Sequence, residues 1–240
     1  MSDIVYGRNV FAEVLRQGHL KKALLLKNAP FQEELKKQKI PFMIVERKVL
    51  DRLCKGGNHQ GVYGECKAYP LFEVKSLLRE KNGFLVLLDG LKDPQNLGSI
   101  LRSVDCVGAD GVIYKKHNAV KLNATVAKVS CGAIEYVKVA EVTNLVNTMK
   151  ELKKAGYWLV GADANASKRY NEIHYDMNVA LVIGSEGEGL SRLVREECDF
   201  LVSLPMHGHL DSLNASVATG ILLYQVEADR FALSCGERGK

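Results

Sequence analysis

Beyond residue 83 the hydrophobic pattern changes character. Phe84–Leu88, Val112–Tyr114, Tyr157–Val160, Val179–Ile183 and Phe200–Leu204 are short, several of them near-continuously apolar, and set apart by segments of helical periodicity. Strands buried on both faces read this way, because helices cover both sides of a parallel sheet. The pattern predicts a mostly parallel α/β layer. It ends in a long helix from about Ser212 to Ala232, with apolar positions at Leu213, Val217, Ile221, Tyr224, Ala228 and Phe231, spaced by four or three.

Before residue 83 the units are smaller. Residues 4–17 read as a helix with Val5, Val10, Val14 and Leu15 on one side and Gly18 as its stop. Apolar runs at Ala23–Leu26, Phe42–Val45 and Gly61–Cys66 flank a basic helix at Phe31–Lys39. This is a second, small α/β layer. The expected organisation is therefore residues 1–67, a linker at 68–82, and a larger domain at 83–240.

Charge sharpens the division. The chain of 240 residues carries a formal net charge of +5. Residues 1–67 hold 13 Lys and Arg against 7 Asp and Glu, a net of +6, so the remainder is close to neutral. A polyanion partner for the first quarter, most simply nucleic acid, fits this excess, as does a solvated basic surface. No apolar run is long enough to span a bilayer, and Met1–Tyr6 lacks the basic and apolar regions of a signal peptide. Six scattered cysteines without a C-x-x-C spacing read as reduced, mostly buried thiols of a cytoplasmic protein.

Three segments could carry chemistry. In the first, Leu88-Asp89-Gly90 ends a buried strand, and Asp93-Pro94 can cap and open a helix. Asn96, Ser99 and Arg102 then follow at steps of three as a polar ladder. By itself the ladder reads more readily as a surface arginine with ordinary salt bridges. The second, Gly184-Ser185-Glu186-Gly187-Glu188-Gly189, follows a strand and precedes a helix. It is neither a P-loop nor the dinucleotide fingerprint, and its two glutamates would repel a phosphate. The third runs from Leu204-Pro205-Met206 to Ser212-Leu213-Asn214-Ala215-Ser216-Val217-Ala218. Its Ser-x-Asn opens an apolar helix, where donors and a helix N-terminus combine. His207-x-His209 lacks the further ligands a metal site needs and reads as a solvent-facing loop. His59-Gln60-Gly61 reads as a junction turn.

Taken together, the three segments resemble the signature motifs of the SpoU (TrmH-type) family of RNA 2′-O-ribose methyltransferases. Asn96, Gly98 and Arg102 match Asn-x-Gly-x-x-x-Arg. Gly184, Glu186, Gly187 and Gly189 match Gly-x-Glu-Gly-x-Gly. Pro205, Met206, Gly208, Ser212, Leu213, Asn214, Ser216, Val217 and Ala218 match the third motif. Val5-Tyr6-Gly7-Arg8-Asn9-Val10 and His59-Gln60-Gly61-Val62 resemble the small L30e-like RNA-binding domain attached to one branch of the family, a branch that includes a bacterial 23S rRNA guanosine-2′-O-methyltransferase.

The resemblance implies a SPOUT-type knotted catalytic domain after an L30e-like domain, S-adenosylmethionine as cofactor, RNA as partner, no metal, and a homodimer. It implies cofactor contacts from Gly184, Leu204 and Leu213, largely through backbone groups. Asn96, Glu186, Ser212 and Asn214 would order the site and the ribose-phosphate, and Arg102 is the family's proposed general base. An arginine stays protonated at ordinary pH, so oxyanion stabilisation would account for Arg102 equally well. Methylation of tRNA, a non-catalytic ribosome-assembly factor and a nucleotide-dependent α/β enzyme are the alternative readings. The missing phosphate-binding fingerprints weigh against the last.

Overall fold

The computed structural model describes residues 3–237, which fall into two compact units. The first joins the chain up to Pro70 with a later stretch, Lys121–Tyr136. The second comprises Leu71–Val120 and the chain from Val137 onward. The stretch 121–136 breaks the simple N-to-C division expected from charge and pattern. Much of the expected linker also belongs to the second unit: Leu77 is buried in its core, and the Phe72 amide donates to the Val139 carbonyl.

The first unit is a four-stranded mixed sheet in the order β1-β4-β2-β3, with β1 Asp3–Tyr6, β2 Leu20–Leu25, β3 Phe42–Ile44 and β4 Val62–Cys66. The helix expected over 4–17 is two elements. Residues 3–6 pair antiparallel with β4, and α1 begins only at Arg8 and runs to Arg16. Gly7, at φ 94°, makes the break, a backbone conformation that a residue with a Cβ rarely holds. Val5 is fully buried as a strand residue. Helices α2 (Gln32–Lys37) and α3 (Arg47–Leu53) complete the N-terminal elements. His59 is buried and satisfied at the turn before β4: the Gly61 amide donates to Nδ1 at 3.0 Å, so Nε2 carries the proton it gives to Asp51 at 3.0 Å.

Helix α5 (Ala124–Val129) and a short 3-10 turn at Ala133–Glu135 dock on β1 and α1. A Cβ at Gly132 would lie 2.4 Å from the Glu13 Cγ, so only glycine allows this approach. His19 Nδ1 meets the Glu135 carboxylate at 2.6 Å, and the Tyr136 hydroxyl reaches Glu13. Burial raises the Glu135 carboxyl and the His19 contact only partly offsets that.

The second unit is a wholly parallel seven-stranded sheet, ordered β7-β6-β5-β10-β8-β11-β9. Its strands are β5 Phe84–Asp89, β6 Gly111–Lys115, β7 Val139–Val142, β8 Trp158–Ala162, β9 Lys168–Arg169, β10 Val179–Gly184 and β11 Phe200–Ser203. β5 and β10 lie at its centre and are buried almost throughout, as their unbroken apolar runs predict. Helices α4 (Pro94–Cys106) and α8 (Ala215–Glu237) pack against each other; α6 (Leu145–Lys154) and α7 (Arg192–Glu197) form another packed pair.

Helix α8 buries Ala215, Thr219, Leu222, Leu223 and Val226. The stripe read from sequence faces outward instead: Val217, Ile221, Tyr224 and Phe231 are all exposed. The helix is apolar on more than its core face, which marks a second packing surface. Among the described cysteines, Cys54 and Cys66 are buried, Cys131 and Cys198 half-buried and Cys106 exposed; the Cys235 side chain lies outside the described residues. No helix among the described residues is long and apolar enough to cross a membrane.

Candidate active site

The strand order reverses at the centre of the sheet. From β5 the chain moves outward through β6 to β7, then crosses to β8, β10 and β11 on the other side. In open α/β sheets the crevice at such a reversal, beyond the carboxyl ends of the strands, is the ligand site. The first two motif segments leave the sheet at this point, from β5 and β10, and the third leaves from β11, one strand beyond β8, at the same carboxyl edge.

Asp93 caps α4 by accepting from the Gln95 amide at 2.9 Å, with Pro94 at the first helical position. This brings Asn96 onto the first turn, where it is buried. Successive steps of three residues drift by about 60° around a helix, so the ladder turns from buried to open: Ser99 is half-buried and Arg102 exposed. The ladder is thus a winding line rather than one face.

After β10 the chain folds into a closed loop. Ser185 and Gly189 exchange both backbone hydrogen bonds, at 3.1 and 3.0 Å, leaving Glu186, Gly187 and Glu188 at the tip. Gly184 sits where a Cβ would come within 2.2 Å of the Gly189 carbonyl carbon, so no side chain fits. Ser191, just past the loop, donates its amide to Asp89 at 2.7 Å. Asp89 is buried and also receives the Lys115 ammonium. Burial alone would raise its carboxyl, but the hydrogen bonds from Lys115 and Ser191 outweigh that and hold it below the usual carboxylate range.

The third segment supplies the link. Asn214 is the N-cap of α8: its side-chain oxygen accepts from the Ser216 amide (2.9 Å), the Ser216 hydroxyl (2.6 Å) and the Val217 amide (3.3 Å). That fixes the oxygen toward the helix and turns Nδ2 outward. Nδ2 then donates to Asn96 Oδ1 at 2.9 Å and to Glu186 Oε1 at 2.6 Å, while Asn96 Nδ2 donates to the same Glu186 oxygen at 2.8 Å. One residue from each segment therefore meets in a closed triangle, across chain separations of 118, 28 and 90 residues.

The other expected residues are placed as follows. Gly184 ends β10; Leu204 follows β11 and is half-buried; Leu213 precedes the α8 cap and is 39% exposed. β10 and β11 are separated only by β8, so these backbone positions border one region at the carboxyl edge. Ser212 is exposed beside them, and Arg102 is set back from the triangle by six residues of helix. His207 and His209 are exposed, and among the described residues no group of three metal-capable side chains gathers. Lys115 and Asp89 were not singled out from sequence; a buried aspartate at the end of an apolar strand was the available signal.

A glycine cradle with left-handed turns at Gly187 and Gly189, an adjacent carboxylate and strand-end backbone groups suit a polar ligand with a cationic centre. S-adenosylmethionine, with its sulfonium, is of that kind. The family description "SpoU rRNA Methylase family" matches residues 83–224, and "RNA 2′-O ribose methyltransferase substrate binding" matches residues 4–72. A protein of Bacillus subtilis strain 168 assigned to the TrmH tRNA/rRNA methyltransferase family, YacO, is 46% identical over 95% of this chain and 96% of its own. The SpoU methyltransferase AviRb of Streptomyces viridochromogenes, solved with S-adenosylmethionine, superposes with a TM-score of 0.84 at 25% identity, over 96% of this chain and 91% of that one. An S-adenosylmethionine-bound rRNA methyltransferase of Sinorhizobium meliloti gives 0.80 at 25% identity, over 95% and 87%.

Proposed function

The chain belongs to the SpoU rRNA methylase family and is an S-adenosylmethionine-dependent RNA 2′-O-ribose methyltransferase, and we propose that its substrate is a guanosine of 23S rRNA. The observation that carries the assignment of roles is the Asn96–Glu186–Asn214 triangle, which ties the three motif segments into one rigid site.

S-adenosylmethionine supplies an electrophilic methyl group on a sulfonium that leaves as a neutral thioether. The ribose 2′-oxygen forms the new C–O bond as the C–S bond breaks, its electron pair staying on sulfur, and the hydroxyl proton passes to solvent water. Gly184, Leu204 and Leu213 line the cofactor pocket through backbone groups. Asn96, Glu186 and Asn214 hold the loops in register and, with Ser212, order the ribose-phosphate, so that attack occurs from a fixed geometry. Arg102, exposed on α4, steadies the phosphate and the developing oxyanion. Arg102→Lys retaining substantial activity across neutral pH, with Arg102→Ala inactive, counts against an arginine-specific base.

The choice of rRNA rests on the basic substrate-binding segment at residues 4–72 and on the S. meliloti relative, an rRNA methyltransferase over nearly the whole chain. The protein acts as a homodimer joined through the exposed stripe of α8, whose Val217, Ile221, Tyr224 and Phe231 span roughly 21 Å of helix. Methyl transfer from labelled S-adenosylmethionine to unmodified 23S rRNA, 16S rRNA and tRNA tests the substrate. 2′-O-methylguanosine in 23S rRNA alone is expected; label in tRNA alone overturns the substrate.

A further inference from the structure

Two clefts outside the motif triangle share a wall. The first, about 610 Å³, is lined by Gly90, Lys92, Lys115, His117, Asn118 and Glu188, among others. The second, about 660 Å³, runs from Lys115 and Ser191 to Arg192, Asn144 and Asn147. Lys115 and Ser191 line both, so the two form one groove along the carboxyl ends of β10, β5, β6 and β7. Each half alone has the volume of a small-molecule site; two in series suit a strand. Gly184, Leu204, Leu213 and the three triangle residues line neither half, although Gly189 of the glycine loop borders the first.

The strand order divides the site. Of the cofactor positions, Gly184 ends β10 itself and Leu204 follows β11 on its far side, whereas the groove runs the other way from β10, toward β5, β6 and β7. Glu186, hydrogen-bonded to Asn96 and Asn214, stands on the loop between them. A methyl donor on one side and an acceptor on the other is what in-line transfer at that loop requires. The groove is also built rather than incidental. The buried Asp89 fixes the Lys115 ammonium at the shared wall and clamps the Ser191 amide. Its open rim carries exposed Lys92, His117 and Arg192, the last in an exposed pair with Glu196 at 2.8 Å. Cations spaced along an open groove are the pattern that follows a phosphodiester backbone.

We propose that this groove is the track of the single RNA strand carrying the target nucleotide, with Lys92 and Arg192 receiving backbone phosphates and Lys115 set at its midpoint. The proposal rests on the methyltransferase reading above and names residues of that site which bind substrate.

The test is the salt dependence of binding of in-vitro-transcribed 23S rRNA by the full chain. Each phosphate contact to a single strand contributes about 0.7 to the slope of log affinity against log salt. Lys92→Gln with Arg192→Gln should lower the slope by about 1.4 in total and weaken binding several-fold, with S-adenosylmethionine affinity by calorimetry unchanged. Lys150→Gln with Lys154→Gln, which removes the same charge from exposed positions on α6, should leave the slope nearly intact. An unchanged slope in the groove variant, an equal fall in the α6 control, or a parallel loss of cofactor affinity overturns the proposal. Methyl transfer by the wild type is read separately: its absence on every RNA removes the function, while the slope still decides the groove.

Discussion

At the residue scale, Asn214 does two jobs with opposite ends of one amide. Its oxygen caps α8 and its nitrogen holds Asn96 and Glu186. The two can be separated. Asn214→Asp keeps a capping oxygen but exchanges the donor for a carboxylate facing Glu186. Its melting temperature should stay near wild type while turnover drops about 10²-fold, the scale of a displaced catalytic geometry. Asn214→Ala should lose turnover and also about 1 kcal/mol of stability through the cap, read by chemical denaturation. Asp89 makes a pH-dependent contribution. Its carboxyl is depressed in the fold, so its stabilisation is complete above the unfolded value near 4 and is lost as pH falls through the folded value. Melting curves taken from about pH 6 downward should show an acid-side fall that is shallower in Asp89→Asn. If both proteins lose stability in parallel, Asp89 is not its source.

Elements were legible where local pattern and tertiary demand agreed. The unbroken apolar runs of β5 and β10 read as central strands because both faces of those strands are covered. The sequence pattern draws β1 into a helix because Val5, Val10 and Val14 share a helical spacing; only pairing with β4, which is 57 residues away at Tyr6, shows otherwise. β9 has two residues and no local signal at all. In α8 the periodicity was visible but its direction was not, since a helix apolar on two sides does not say which one meets the core. Of the site, the residue types and order were readable, and the triangle that joins them was not, because it depends on the crossing of strands. The α8 stripe gives its own prediction. Val217→Glu with Tyr224→Glu should yield a folded monomer by light scattering, with methyl transfer reduced at least tenfold. A dimer that survives both substitutions places the interface elsewhere.

Across the whole molecule, the chain passes between the two units three times, near residues 70, 120 and 136. The first unit is therefore completed by sequence that follows two strands of the catalytic sheet. Removing residues 1–67 would strip α5 and the following turn of the partners that bury Val126, Ala127 and Ile134. Such a truncation should bind a hydrophobic dye and melt earlier than the full chain, so loss of RNA affinity in it would not isolate the basic surface. Charge substitutions in the intact chain are the cleaner measure. A truncated chain that is as compact and as stable as the full one would contradict the packing of Lys121–Tyr136 on β1 and α1.

That docked stretch also constrains how recognition and catalysis can be exchanged between relatives. A chimera made by swapping only the first seventy residues would set a foreign α1 beneath Gly132, whose contact with Glu13 leaves no room for a Cβ. A functional graft must carry two separate pieces of chain, the N-terminal segment and the 121–136 return. The recognition module is portable only as a discontinuous gene fragment, and its lineage should change at both places together.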